Sequence, residues 1–276
     1  MTDYLGKTFD LESSGFISSY DELTLWAAPF GLMLLDRVRL GPDMQVLDVG
    51  CGAGFPLLEL AQRLGDSSTV YGIDIWRAAL DQAKLKARAY GANNVQFVEG
   101  DAASMEFADD FFDLVVSNLG INNFADPDSV LRECHRVIKP EGYLSLTTNF
   151  KGHMSEYYHV FEKTLRELGL SRAVDLLEAH VEHRSDPAAT CSRLEQAGFK
   201  ITDMQTASFR IRFLNGSSLL RHHFIQLGFL GDWKAVVPQE RLVEVFSGLE
   251  EGLNSYAQER GELSLTIPYG YIEGKK

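Results

Sequence analysis

The sequence predicts an α/β fold: a mostly parallel sheet with helices on both faces, and helical insertions after it. Three observations predict this. Apolar runs of strand length alternate with helical stripes from residue 44 to 148, and strands joined through helices pair in parallel. The first of these runs ends in a cluster of glycines that opens a helix. After Thr148 the rhythm changes to long helical stretches interrupted by one late strand.

The elements follow in order. Met44 to Val49 is a short apolar run read as a buried strand. Leu57, Leu58, Leu60, Ala61 and Leu64 form a helical stripe that stops at Gly65. Thr69 to Ile73 is the second strand, Arg77 to Tyr90 a helix stopped by Gly91, Val95 to Val98 the third strand and Phe112 to Val116 the fourth. Asp126-Pro127 caps and opens a helix with Val130, Leu131, Cys134, Val137 and Ile138 on one face. Lys139-Pro140-Glu141-Gly142 ends it, and Tyr143 to Thr147 is the fifth strand. Residues 153–183 read as helices, with Tyr157, Tyr158, Phe161, Leu165 and Leu168 at helical spacing. A helix over Ala188 to Ala197 ends at Gly198, and a long strand runs from Lys200 to Phe213. Residues 217–260 are helical again, Pro238 opening a stripe of Leu242, Val245, Phe246, Leu249 and Leu253, and Leu263 to Ile267 is the last strand. The chain divides into an N-terminal helical segment (1–43), a core (44–150), a helical insertion (151–187), a late helix and strand (188–214), a second insertion (215–261), and a final strand and tail (262–276). The two insertions are expected to cap the carboxyl edge of the sheet.

Composition excludes several functions. With 276 residues, 45% of them hydrophobic, the chain can bury a full core without staples. A net charge of −13 without a Lys/Arg block repels phosphate backbones, so no nucleic-acid partner is expected. Three cysteines, Cys51, Cys134 and Cys191, give no disulfide framework and fit a reducing cytoplasm. The opening Met1-Thr2-Asp3-Tyr4 lacks the basic start of a signal peptide. The longest apolar run, Leu23 to Leu35, is broken by Pro29 and Gly31 and is too short to span a bilayer.

The informative segment is Val46-Leu47-Asp48-Val49-Gly50-Cys51-Gly52-Ala53-Gly54. Gly50 and Gly52 remove side chains where backbone must approach a ligand or take positive φ. The helix starting near Phe55 offers free N–H groups and the positive end of its dipole. A dinucleotide fold wants Gly-x-Gly-x-x-Gly, and Phe55 occupies the last position, which weighs against an NAD(P)-dependent oxidoreductase. The second strand ends Ile73-Asp74-Ile75, where parallel-sheet folds hydrogen-bond ribose hydroxyls, and the third ends Glu99-Gly100-Asp101-Ala102. Singly, Asp74 reads equally as a helix cap and Asp101 as a turn residue. Three consecutive strand ends bearing ligand groups weigh against coincidence.

With these motifs in order, the sequence resembles the class I S-adenosylmethionine-dependent methyltransferases. It is most similar to the branch holding ubiquinone and menaquinone C-methyltransferases and related small-molecule enzymes. The resemblance covers residues 44–150 and rests on LDVGCGAG (47–54), YGIDI (71–75), EGDA (99–102), FDLVVSN (112–118) and LRECHRVIKPEG (131–142). It implies a Rossmann-like seven-stranded sheet with one antiparallel strand, which Leu263 to Ile267 would supply, and S-adenosyl-L-methionine as cofactor. By this resemblance Gly50, Gly52 and Gly54 pack against the methionine part and Asp48 orders their turn. Asp74 holds the ribose hydroxyls, Ile75 lies against adenine, Asp101 accepts from the adenine amino group and the Ala102 N–H donates to the ring. Asn118 stands where the family places backbone contacts to the methionine amine. The insertions at 150–185 and 215–260 depart from the minimal fold and weigh against carrying over a substrate from smaller relatives.

Methyl transfer from a sulfonium asks for an acceptor held in line and kept from water, a positioning effect of roughly 7–11 kcal/mol. A general base is needed only where the acceptor must lose a proton. His153, Tyr157, His222 and His223 are the candidates. Phe16, Tyr20 and Trp26 are candidates to close over the cofactor, although an aromatic helix face is more often core. The segment Ser117-Asn118-Leu119-Gly120 lacks the Asn/Asp-Pro-Pro-aromatic pattern of enzymes that methylate nucleic-acid amino groups, and no Pro-Cys occurs. No cysteine has metal-site spacing, so no metal is expected, although carboxylate ligands would leave only faint spacing signals. The reading is methylation of a small, partly apolar molecule. The acceptor pocket is expected under the two insertions, lined by exposed groups such as His153 and Tyr157 among Tyr158, Phe161, Phe224, Phe229, Leu230 and Trp233. An NAD(P)-dependent oxidoreductase and a non-catalytic binder of S-adenosylmethionine are the alternatives.

Overall fold

The computed structural model describes residues 2–21, 26–182 and 184–276. In chain order the elements are α1 (Ser14–Asp21), α2 (Ala28–Arg37), β1 (Gln45–Val49), α3 (Leu57–Leu64), β2 (Thr69–Asp74), α4 (Arg77–Tyr90), β3 (Val95–Glu99), β4 (Phe112–Asn118), α5 (Pro127–Val137), β5 (Ile138–Asn149), α6 (Ser155–Glu167), α7 (Ser171–Glu182), α8 (Pro187–Gln196), β6 (Lys200–Phe213), α9 (Gly216–Arg221), α10 (His223–Gly228), α11 (Leu230–Ala235), α12 (Leu242–Arg260) and β7 (Leu263–Lys275). The start of the apolar run expected from Leu23 lies outside the described residues. Among those described, no helix is long and apolar enough to cross a membrane.

The chain forms two compact units. The sheet unit holds residues 11–149, 186–207 and 269–276; the helical unit holds 1–10, 150–185 and 208–268. Residues 1–43, read from sequence as one segment, therefore divide after Asp10, and the two insertions build one unit.

The seven strands lie in the order β3-β2-β1-β4-β5-β7-β6. β1 pairs in parallel with β2 and β4, β2 with β3, and β4 with β5. β1, β2 and β4 are apolar because both faces are covered: Val46, Leu47, Val49, Val70, Ile73, Leu114, Val115 and Val116 are buried. Gly72 lets the start of α3 close onto β2, since a Cβ there would stand 2.6 Å from Leu57 Cδ2 and 2.7 Å from Cys51 Sγ. α5 starts as its sequence demands: the Asp126 side chain accepts the Ser129 N–H at 3.0 Å, and Val130, Leu131, Cys134 and Val137 are buried.

Two elements differ from the sequence reading. The expected break at Lys139–Gly142 lies inside β5, which starts at Ile138. There the pairing with β4 shifts register, and Glu141 takes φ 70°. Leu263–Ile267 opens the final strand β7 as expected, but the part of β7 that pairs antiparallel with β5 is Tyr269–Lys275, from Asn149↔Tyr269 to Tyr143↔Lys275. Pro268 and the polar Glu273 disguised it. Glu273 is buried because donors come from distant elements: Arg39 at 3.1 Å, the Thr202 hydroxyl at 2.7 Å and the Tyr271 hydroxyl at 3.1 Å.

In the helical unit, α12 meets α6 through small residues: a Cβ on Gly252 would stand 2.9 Å from Val160 Cγ1. α9 approaches α12 at Gly216, whose Cβ would stand 2.4 Å from that of Leu253. The first residues belong here as well. Tyr4 is buried beneath Arg221, whose guanidinium lies 5.1 Å from the ring centroid, and Lys234 Nζ donates to the Leu5 carbonyl at 2.7 Å. A ladder of rings runs through the unit: His153 on Phe229 (5.5 Å), Phe229 on Trp233 (5.7 Å) and Trp233 on Tyr157 (4.0 Å).

Two stability predictions follow from this packing. Gly72→Ala lowers the unfolding free energy by about 1–3 kcal/mol, the usual penalty of overpacking. Gly100→Ala, whose Cβ finds nothing closer than 3.5 Å, stays within about 0.5 kcal/mol of the parent; urea titration of both checks the contrast. Tyr157→Ala removes a fully buried ring and costs about 3–5 kcal/mol. A melting temperature unchanged in that variant would contradict the ladder.

Candidate functional site

The site grows from the end of β1. Gly50, Gly52 and Gly54 have φ of 75°, 49° and 100°, a region that penalises any side chain. β2 serves as the template for this turn. The N–H groups of Gly50 and Cys51 both donate to the Ile73 carbonyl, at 2.9 and 3.2 Å. The Gly52 N–H donates to Asp74 Oδ2 at 2.8 Å, and the Trp76 N–H donates to Oδ1 at 2.8 Å. Asp74 therefore caps the turn before α4 and also holds the glycine turn. Each of its oxygens keeps a second lone pair, enough for a vicinal diol.

The strand order puts four predicted positions in sequence along one edge: Asp101 after β3, Asp74 on β2, the glycine turn after β1 and Asn118 on β4. A Cβ on Gly52 would meet nothing within 4 Å, so the turn is an open cradle that a side chain would fill. Ile75 stands 74% exposed beside Asp74, an apolar surface fit for a heterocycle. Asp101 closes a short turn, its Oδ1 accepting the Ala103 N–H at 2.9 Å, and Ala102 is buried. Asn118 Oδ1 accepts from the Thr147 hydroxyl at 2.7 Å, which fixes the end of β4 against β5. These residues fit the nucleoside and amino-acid ends of S-adenosylmethionine.

Asp48 behaves differently. It is fully buried on β1, between Gly72 of β2 and Val116 of β4 in register, and neither carboxylate oxygen has a hydrogen-bond partner. Burial first, and then the charge of Asp74, push its carboxyl up to about 8. Burial also pushes the neighbouring Cys51 thiol well above its usual range, with Asp48 and Asp74 adding to the effect.

The four candidate bases, His153, Tyr157, His222 and His223, lie in the helical unit, and the structure corrects the first two. His153 and Tyr157 were expected to be exposed; they are 2% and 0% exposed and belong to the ring ladder. Burial holds the His153 imidazole well below its usual range and the Tyr157 phenol well above its own. The sequence gives spacing along a helix, whereas their burial depends on Phe229 and Trp233, far along the chain. His222 is exposed and edge-on to Phe213 at 5.4 Å, its imidazole lowered by burial and then by His223. Of the aromatics expected to close over the cofactor, Phe16 lies 6.4 Å from Trp76, and Trp26 is tilted against Phe30 at 5.6 Å. The Tyr20 side chain lies outside the described set.

Sequence reasoning missed two residues after β4. The Phe124 ring lies 3.5 Å from where a Cβ of Gly50 would stand, so it walls the turn. Asn122 donates to the Thr148 hydroxyl and to Asn149 Oδ1, both at 2.7 Å, tying the loop to β5. Neither belongs to a motif; only their place after a strand end marks them. Among the described residues no group of three His, Cys, Asp or Glu could hold a metal ion.

Residues 40–206 match a family model described as a methyltransferase domain. The demethylmenaquinone methyltransferase of Lactobacillus johnsonii is 32% identical over 166 residues, covering 56% of this chain and 67% of that protein. Further relatives of the same name are matched over 46% to 59% of their length. The nocamycin O-methyltransferase of Saccharothrix syringae is 27% identical over 268 residues, covering 90% of both chains. Among solved structures, a SAM-dependent methyltransferase from Aquifex aeolicus superposes with a TM-score of 0.54 at 22% identity, covering 71% of this chain and 92% of that one. The chain therefore belongs to the methyltransferase domain family, as a class I S-adenosylmethionine-dependent methyltransferase of the quinone-methyltransferase-like branch.

Proposed function

We propose that this protein transfers the methyl group of S-adenosylmethionine to an acidic hydroxyl, of the phenol or enol kind, on a small and partly apolar molecule. The observation that carries the cofactor part is the Asp74 carboxylate, fixed by the Gly52 and Trp76 N–H groups beside an open glycine turn. In this reading the turn holds the methionine end, Asp74 the ribose and Ile75 the adenine. Asp101 and the Ala102 N–H serve the adenine edge, and Asn118 borders the methionine amine. The cofactor supplies a methyl on a cationic sulfur: the C–S bond breaks with its electron pair staying on sulfur, and an acceptor lone pair forms the new bond.

Two arguments support oxygen as the acceptor atom. The relative matched along nearly the whole chain, helical stretches included, is named an O-methyltransferase. The buried His153 and Tyr157 are also poorly placed to take a proton. An acceptor that ionises by itself needs no such base. The match to the demethylmenaquinone relative covers little more than half of this chain, so its acceptor is not carried over whole. Carbon methylation of a quinol ring is the second reading, favoured by that same relative.

Calorimetry tests the cofactor part: S-adenosylmethionine and S-adenosylhomocysteine bind and NAD does not. Asp74→Ala weakens binding roughly a hundredfold, the loss of about 3 kcal/mol of charge-assisted hydrogen bonding. An unchanged dissociation constant would reduce Asp74 to a cap. The acceptor part is tested with methyl-labelled S-adenosylmethionine across phenols, enols, quinols, amines and thiols. Label is expected on oxygen, and label confined to ring carbon, nitrogen or sulfur overturns the assignment.

A further inference from the structure

Asp48 is the one group at the glycine turn whose burial the protein leaves uncompensated. Its side chain is wholly buried, and no side-chain donor reaches either oxygen. The strand positions flanking it, Gly72 and Val116, carry no polar side chain. The ionisable groups facing it are Asp74 at the end of β2, whose charge opposes its ionisation, and the Cys51 thiol of the turn, which Asp48 itself helps to push up. α3 brings only the backbone of Leu57, which works weakly the other way. A buried carboxylate without a partner either holds a proton or waits for a cation.

S-adenosylmethionine carries a net positive charge at neutral pH and S-adenosylhomocysteine carries none. We propose that Asp48 exchanges its proton for the positive charge of the methylated cofactor, and thereby sets the preference of the site for S-adenosylmethionine over the spent S-adenosylhomocysteine. This rests on the cofactor reading above. On binding, the Asp48 O–H bond breaks and the proton leaves to solvent, so the carboxylate faces a cation. After methyl transfer the sulfur is neutral, the carboxylate takes a proton back from solvent, and the attraction that held the cofactor is gone. Asp48 is thus a positioning residue that acts through charge.

The sign of the linkage can be worked out for the cofactor-free protein. The folded carboxyl titrates near 8 and its ordinary value is 3.8. The neutral form is therefore favoured by the fold: its stabilisation is complete below about pH 4 and is lost as the pH rises through about 8. Asp48→Asn keeps the shape, carries no charge and removes this dependence.

The test is calorimetry of both ligands at pH 7 in buffers of different ionisation enthalpy, which counts protons without any turnover. S-adenosylmethionine is expected to release about one proton per site and S-adenosylhomocysteine clearly fewer. In Asp48→Asn the release disappears, the affinity for S-adenosylmethionine falls roughly tenfold, and that for S-adenosylhomocysteine stays within about twofold. In thermal melts without ligand, wild type loses stability relative to the variant as pH rises from about 5 to 8. Equal proton release by the two ligands in wild type overturns the proposal even if the variant does not fold. An unchanged affinity ratio in a folded variant also overturns it. If neither ligand gives heat with wild type, the cofactor reading itself falls, and this proposal falls with it.

Discussion

The bond from the Gly52 N–H to the Asp74 carboxylate is the contact on which the sheet edge depends. It is charge-assisted and half-buried, so about 1.5–3 kcal/mol is its ordinary worth. Its consequence is geometric. The Ile73 carbonyl already receives two N–H groups of the turn, and Asp74 adds a third point on the same strand. A chain held at three points to its neighbour cannot collapse over the space it encloses, which is why the position above Gly52 stays open. The template in turn requires Gly72, because only a residue without Cβ lets Cys51 and Leu57 reach β2. Three glycines with positive φ and one without thus serve a single carboxylate.

The protein treats its two fully buried acids of the sheet unit in opposite ways. Glu273 is given donors from Arg39, Thr202 and Tyr271, and Arg39 also lies 4.2 Å over the ring of Tyr143. That is how a structural carboxylate is kept in a core. Asp48 has no side-chain donor, although one serine or asparagine at a neighbouring strand position would supply it. The cost of leaving it bare is substantial, and it falls at the turn where a cationic ligand is expected. The contrast sets Asp48, bare of side-chain donors, apart from Glu273, which the fold supplies with three.

The sheet was legible because its signal is local. Apolar runs from Met44 to Val116, separated by helical stripes, specify parallel pairing, and parallel pairing brings the strand ends to one edge. Asp74, Asp101 and Asn118 could be placed without any long-range information. β7 could not. Its antiparallel half contains Tyr269, Gly270, Glu273 and Lys275, and its burial comes from partners near residues 39 and 202 that no window around residue 270 contains. The ladder failed for the same reason. Tyr157 lies under Trp233, and the Tyr158 hydroxyl accepts from the Trp233 indole N–H at 3.2 Å, so helical spacing that resembled a pocket wall is core. Asn122 and Phe124 act through a loop whose path follows from β5, which a motif between residues 112 and 118 does not reveal.

Burial of the ladder carries a chemical consequence for the acceptor. A proton acceptor must meet the proton at hydrogen-bond distance and then keep a charge. His153 meets neither demand: its imidazole is enclosed, and burial penalises the protonated ring. Tyr157 would have to become an anion in the same dry surroundings. His222 is accessible, and its imidazole is lowered rather than raised, so at neutral pH it is a weak base. Chemistry that needs a strong base is therefore poorly served by these three groups. Chemistry on a hydroxyl acidic enough to ionise in water asks only for position and for a turn that grips the methyl donor more firmly than its spent form. In the proposed reading the sheet edge would supply that grip through Asp74 and Asp48, and the acidity would be left to the substrate.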